Sequence, residues 1–149
     1  IESRTCADFL VIARTDARSS LGLDEALRRA EAYANAGADV LFVESPESEE
    51  EMRQIGRCVD KPLLANMVEG GRTPVLTQQE LADIGYKLAI FPVTALLAAT
   101  HAMKSVYEQF RRTGSSAAGD TALMPFADLT QLMGFDEIWA FERQYAEAP

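Results

Sequence analysis

The stretch Phe9-Leu-Val-Ile-Ala-Arg14-Thr-Asp16-Ala17 decides the fold. Its apolar run reads as a buried strand, and it stops abruptly in Arg14, Thr15 and Asp16. Two more runs stop the same way: Val40-Leu-Phe-Val43 ends in Glu44, and Leu63-Leu-Ala65 ends in Asn66. Polar and charged residues at the carboxyl ends of successive buried strands are how a β/α barrel assembles an active site. The pattern therefore implies a catalytic face before any motif is considered.

Outward from strand 9–13, a loop leads to a helix over Leu23–Ala36. Leu23, Leu27, Ala30 and Ala34 fall on one face of it, and Arg28, Arg29 and Glu31 lie off that face. Asp24 and Glu25 suit its first turn, and Gly37 is a natural stop. After strand Val40–Val43, Ser48-Glu-Glu-Glu51 is a capping box opening a helix that runs to about Cys58. Pro62 precedes strand Leu63–Asn66. Thr77-Gln-Gln-Glu80 is a second capping box, and Gly85 closes that helix. Strand Leu88–Phe91 follows, then an Ala-rich helix from about Ala95 to Arg112 with Gly114 as its stop.

Strands alternating with helices predict parallel βαβ units. A closed barrel needs eight strands and typically ~250 residues, whereas this 149-residue sequence offers four strands. The fold class is therefore α/β: the C-terminal half of a (β/α)8 TIM barrel with about four parallel strands. A beginning so close to a central strand reads as an entry point in mid-domain. Residues 1–114 are assigned to the half-barrel and residues 115–149 to a C-terminal helical arm. Ser115–Asp120 is a flexible Gly/Ser/Ala connection. Phe126–Met133 and Phe135–Tyr145 are two helices dense in apolar residues, expected to dock on the body or swap onto a second subunit. An open, flavodoxin-like sheet is the competing architecture.

The net charge of −9 argues against nucleic acid and anionic membrane as partners, since both call for a basic surface. No apolar run approaches the ~20 residues of a membrane span, and the first residues do not form a signal peptide. Two cysteines, Cys6 and Cys58, are too few for a metal framework and read as incidental thiols in a reducing cytoplasm. His101, the single histidine, belongs to packing or surface rather than chemistry.

Among the strand-end residues, Arg14 carries a fixed charge and a rigid fork of donors suited to a carboxylate or phosphate. An ion pair with Asp16 or Glu44 is its bland alternative. Glu44 is able to contact a divalent cation through water, transfer protons, or neutralise Arg14. Thr15 and Asp16 are alternatively local backbone caps. In the loop Asn66-Met-Val-Glu69-Gly70-Gly71-Arg72-Thr73-Pro74, Asn66 offers a donor and an acceptor, and Gly70-Gly71 lets backbone amides approach an anion. Glu69 and Arg72 are expected to pair. Thr94 offers a hydroxyl to the same pocket or caps the long helix.

With these residues in place, four segments resemble the isocitrate lyase/phosphoenolpyruvate mutase superfamily. They are Val11-Ile-Ala-Arg-Thr-Asp-Ala17, Ala36-Gly-Ala-Asp-Val-Leu-Phe-Val-Glu44, Leu64-Ala-Asn-Met-Val-Glu-Gly-Gly-Arg-Thr-Pro74 and Phe91-Pro-Val-Thr94. They match its second half, in order. The loop at 66–74 is most similar to the branch of oxaloacetate decarboxylases, dimethylmalate lyases and proteins labelled carboxyvinyl-carboxyphosphonate phosphorylmutase. The resemblance implies an enzyme dependent on Mg²⁺ (or Mn²⁺) that acts on small α-oxo or α-hydroxy carboxylates through a pyruvate enolate. Carried over by motif, Arg14 polarises substrate oxygens and Glu44 sits in the metal's water shell. Asn66 and Thr94 hold the carboxylate, and the backbone at Gly70 and Gly71 shapes the pocket.

The resemblance also implies a cytoplasmic homo-oligomer, dimer or tetramer, with exchanged C-terminal helices. It places the metal-binding aspartates and a mobile catalytic loop upstream of these residues, so half an active site is expected here. Phosphonate chemistry, by a mutase or a phosphonopyruvate hydrolase, is the alternative within the family. A non-catalytic half-barrel is the alternative outside enzymes, and it would bind oxalate without metal or not at all. Deletion of residues 126–149 is expected to leave an aggregating or lower-order species by light scattering; an unchanged, soluble species would argue against a docking arm.

Overall fold

The computed structural model describes residues 1–117 and 121–146. Ala118–Asp120 of the expected flexible connection and the last three residues of the arm lie outside them. The strands are β1 (Ile12–Thr15), β2 (Val40–Val43), β3 (Leu63–Asn66) and β4 (Tyr86–Ile90). The helices are α1 (Ala17–Leu21), α2 (Leu23–Asn35), α3 (Glu49–Cys58), α4 (Gln78–Ile84), α5 (Thr94–Thr113), α6 (Phe126–Leu132) and α7 (Phe135–Tyr145). The four strands form one parallel sheet in the order β1-β2-β3-β4. The chain divides into two compact units, Ile1–Ala99 and Thr100–Pro149, and α5 crosses the boundary between them.

Side chains alternate along each strand, so the sheet sorts them onto two faces. On one face Leu41, Val43, Leu63 and Ala65 join Ala26 and Ala30 of α2, Met52 and Ile55 of α3, and Leu81 and Ile84 of α4 in a single core. Fully burying a residue such as Leu41 or Ile55 stabilises by about 1.5–3 kcal/mol. On the other face Val40, Phe42 and Leu64 form a separate buried cluster. Ile12 and Arg14 stand opposite Val40 and Phe42, and Leu88 and Ile90 stand opposite Leu64 and Asn66. Ile12, Leu88 and Ile90 are exposed. Crossover helices on one face, an apolar second face and two outer edges at β1 and β4 are the anatomy of half a β/α barrel, as expected.

Several details depart from the sequence reading. The strand begins at Ile12, not Phe9. Arg4 Nη1 donates to the Phe9 carbonyl (3.0 Å), and the Val11 amide donates to Asp39 Oδ2 (2.8 Å), so side chains take the backbone groups that would start the ladder. The connection after β1 contains α1, whose five residues are too few to show a helical period. Finally, β4 begins two residues early, at Tyr86, beside a register irregularity between Leu63 and Leu64. Tyr86 is buried, its hydroxyl has no partner among the described residues, and burial pushes the phenol above its usual range.

The two expected capping boxes differ. Thr77 and Glu80 form a reciprocal box. At α3 only half forms: Ser48 Oγ accepts from the Glu51 amide (3.1 Å), while the Glu51 carboxylate accepts from the Glu47 amide (2.8 Å). In the second unit, α6 and α7 flank Gly134, whose φ of +77° suits a residue without Cβ. Rings pack at a tilt within α7, Phe135 against Trp139 (centroids 5.7 Å apart) and Phe141 against Tyr145 (4.6 Å). No residue of α6 or α7 is buried.

Gly56 of α3 lies against the end of α4. A Cβ there would fall inside contact distance of the Ile84 carbonyl oxygen and 3.2 Å from Ile84 Cγ2. Alanine gains up to about 1 kcal/mol of helix propensity, but overpacking against fixed backbone costs about 1–3 kcal/mol. Gly56→Ala is therefore expected to lower the thermal midpoint by a few degrees; a higher midpoint would show that α3 and α4 move apart freely.

Candidate active site

Arg14 is placed by β1 with its side chain half exposed. Its Nε and Nη2 donate to the two carboxylate oxygens of Asp16 (3.0 and 2.8 Å), and Nη2 lies 3.5 Å from Glu44 Oε2. The guanidinium also sits 4.9 Å from the ring centroid of Phe42, its register partner on β2. A cation over an aromatic face at a partly exposed site contributes about 0.5–1 kcal/mol. The hydrogen bond to Asp16 raises the Arg14 pKa, and the same bond holds the Asp16 carboxyl below its usual range. Asp16 thus orients Arg14, whereas Thr15 Oγ1 caps the backbone by accepting from the Ala17 amide (3.2 Å).

Glu44 directly follows β2 and is mostly buried. Its Oε1 accepts from Asn66 Nδ2 (3.3 Å) and from Ser45 Oγ (3.3 Å). Asn66 ends β3, and its Oδ1 is buried without a partner among the described residues. An unpaired buried acceptor costs about 1–3 kcal/mol, so Oδ1 is a ready acceptor for a donor on a bound molecule. Ser45 has φ +59°, a left-handed conformation that costs a residue with Cβ about 1–2 kcal/mol. Arg14, Glu44 and Asn66 therefore meet at the carboxyl ends of three adjacent strands.

The remaining expected residues form a second group. Thr94 is the first residue of α5, and its hydroxyl donates to Glu69 Oε1 (2.6 Å), which holds the Glu69 carboxyl below its usual range. Glu69 therefore pairs with Thr94 rather than with Arg72. Arg72 instead faces Glu47, with Nη1 3.9 Å from Oε1. Gly70 has φ +74°, and the Gly71 amide donates to the Val68 carbonyl (3.0 Å). That amide serves the turn rather than an anion. Both groups of residues lie in the first unit.

Sequence reading missed Phe42, which looked like plain core, and it missed Arg18, Glu47 and Glu51. Arg18 Nε and Nη2 grip Glu51 (2.9 and 2.6 Å), and Nη2 also lies 3.0 Å from Glu47 Oε2. No sequence signal pointed to this group: α1 is too short to show a helical period, and Arg18 and Glu51 are 33 residues apart. Among the described residues no group of three His, Cys, Asp or Glu side chains converges as a metal site. Glu44, which follows β2, is already engaged by Arg14 of β1 and Asn66 of β3. These residues do not make a magnesium site by themselves. The Cys58 thiol donates to Glu31 (3.3 Å), and burial first, then Glu31, pushes its pKa up to about 11, so it is a poor nucleophile.

An arginine, a carboxylate and an amide thus converge at the strand ends of a half-barrel, the face on which β/α barrels carry their active sites. Residues 1–111 match the family described as phosphoenolpyruvate phosphomutase. The chain is 42% identical to a 2,3-dimethylmalate lyase of Eubacterium barkeri, over 98% of this chain and 50% of that protein. It is 36% identical to a 2-methylisocitrate lyase of Halalkalibacterium halodurans, over 93% of this chain and 46% of the relative. Among solved structures, an oxaloacetate acetylhydrolase bound to the inhibitor 3,3-difluorooxalacetate superposes with a TM-score of 0.82 at 30% identity, covering 95% of this chain and 47% of its own. The chain belongs to the phosphoenolpyruvate mutase/isocitrate lyase superfamily. It spans about half the length of the curated relatives it matches.

Lysine in place of Arg14 keeps the charge but loses the fork held by Asp16. In the longest natural polypeptide carrying these residues, Arg14→Lys is expected to lower kcat/KM by about 100-fold or more. Near-normal turnover would remove Arg14 from the reaction.

Proposed function

We propose that these residues supply one half of the active site of a lyase or decarboxylase that acts on a small α-oxo or α-hydroxy carboxylate. With an α-oxo substrate the bond to the β-carboxylate breaks, CO2 leaves and the electrons remain as a pyruvate-type enolate. With an α-hydroxy substrate the C2–C3 bond breaks, and the hydroxyl loses its proton to become the keto acid's carbonyl. The electrons then remain on the other fragment as the enolate of its carboxylate until a proton is returned there. The observation that carries this reading is the convergence of Arg14, Glu44 and Asn66 on three neighbouring strands. The dimethylmalate and methylisocitrate lyase relatives support it.

In this reading Arg14, oriented by Asp16 and Phe42, offers its positive charge to a substrate oxygen as negative charge builds there. The Asn66 Oδ1 accepts a hydrogen bond from a substrate hydroxyl, the donor that its buried lone pairs lack. Glu44 lies beside both and takes or returns a proton at its carboxylate. Thr94, with Glu69, closes the far side of the pocket toward the substrate carboxylate, and the turn at Gly70 and Gly71 shapes its rim. Dependence on Mg²⁺, or Mn²⁺ in its place, is part of the proposal for the whole enzyme. The metal would supply charge to hold the enolate, with Glu44 in its water shell, and its direct ligands would come from outside these residues.

A cytoplasmic homo-oligomer, dimer or tetramer, completes the proposal. No helix among the described residues is long and apolar enough to cross a membrane. Phe126, Leu132, Met133, Phe141 and Tyr145 expose most of their surface, which suits docking of α6 and α7 on a partner subunit.

The deciding assay offers oxaloacetate, 2,3-dimethylmalate, 2-methylisocitrate and phosphonopyruvate, each with Mg²⁺ and with a chelator. Metal-dependent release of a keto acid or of oxalate from one of the first three is expected. Turnover of phosphonopyruvate alone would replace this reading with phosphonate chemistry.

A further inference from the structure

The turn after β2 is held against its own preference. Ser45 has φ +59°, and the following residue is Pro46. Proline pushes the residue before it toward extended backbone, so Ser45 opposes both its own Cβ and its neighbour's ring. Such a conformation persists only where the surroundings over-determine it. On the N-terminal side, the Glu44 amide donates to the Thr15 carbonyl (3.0 Å) and fixes where the turn begins. On the C-terminal side the restraint is Arg18. Its guanidinium grips both oxygens of Glu51 (2.9 and 2.6 Å) and lies 3.0 Å from Glu47. The side chains of Arg18 and Glu51 are 18% and 19% exposed, so solvent screens this pair little. Glu51 passes the restraint into the backbone by accepting from the Glu47 amide (2.8 Å).

We propose that Arg18 is a positioning residue: by clamping Glu47 and Glu51 it holds the strained Glu44-Ser45-Pro46 turn and so aims the Glu44 carboxylate at Arg14 and Asn66. Arg18 acts through the turn and touches neither substrate nor the reacting atoms. The geometry gives two nearby arginines different tasks: Arg14, on β1, serves the pocket, and Arg18, on α1, serves the turn after β2. The consequence for catalysis rests on the lyase reading; the clamp itself does not.

The test uses Arg18→Met, Arg18→Lys, Ser45→Gly and the double variant Arg18→Met with Ser45→Gly, in the longest natural polypeptide carrying these residues. Two readouts separate the clamp from the activity. Hydrogen exchange at the Glu47 amide, measured without substrate, is expected to quicken at least about tenfold in Arg18→Met as the local opening becomes easier. In the lyase assay the same variant is expected to lose about 10- to 100-fold in kcat, with KM less affected. Arg18→Lys, which keeps the charge without the fork, is expected to fall between. Glycine at position 45 removes the strain but also the Ser45 hydroxyl that donates to Glu44, so Ser45→Gly alone is the reference. Adding Arg18→Met to it is expected to cost much less kcat than in the parent, which a general loss of stability would not allow. Unchanged exchange at Glu47 in Arg18→Met, or an equal loss of kcat from Arg18→Met in both backgrounds, would overturn the proposal. If the parent protein turns over none of the substrates, the lyase reading falls, and the exchange experiment still decides the clamp.

Discussion

Everything in the first unit depends on β2 being buried on both faces. Leu41 and Val43 look toward α2, α3 and α4, while Val40 and Phe42 look the other way, into a cluster with Leu64. A parallel strand of this kind has no polar face on which to slip, since a shift of one residue exchanges two packed apolar sets. The alternation that buries Phe42 also puts Arg14 opposite it and Glu44 two residues beyond it on the same face. The polar site is thus a continuation of the second apolar face past the end of the ladder. The chemistry begins where the packing stops.

That continuity explains what could be read from the amino-acid order. Val40–Val43 and Leu63–Asn66 have the same bounds in sequence and structure, because a short apolar run closed by a polar residue admits one strand assignment. The Thr77 box and the left-handed Gly85 are equally local devices, and both stand where the sequence puts them. Interactions between distant residues were not legible. The start of β1 depends on Arg4 and Asp39 reaching across more than two dozen residues of chain. The capping box at Ser48 is half diverted because Glu51 has a better partner in Arg18.

The site shows the same division. That Arg14, Glu44 and Asn66 share one end of the sheet followed from their positions just after apolar runs. The Arg14–Asp16 pair, two residues apart, was one of the two ion pairs the sequence offered for Arg14, whereas that Glu69 would choose Thr94 over Arg72 depended on where loops from different strands come together. Spacing in sequence says which groups are at hand. The competition among several partners for one donor is settled only in three dimensions.

Tyr86 carries a consequence of a different kind. Its phenol is packed beneath β4, and ionising it there requires a charge in an apolar interior. The folded state therefore holds this proton more tightly than the unfolded chain does. The sign is that of a raised acid: the contribution is complete below the ordinary phenol value of 10.0 and drains away as alkali rises above it. The half-barrel thus has an alkaline weakness placed away from its strand-end chemistry, at the root of its last strand. Strong base should loosen the β3–β4 edge through the Tyr86 hydroxyl.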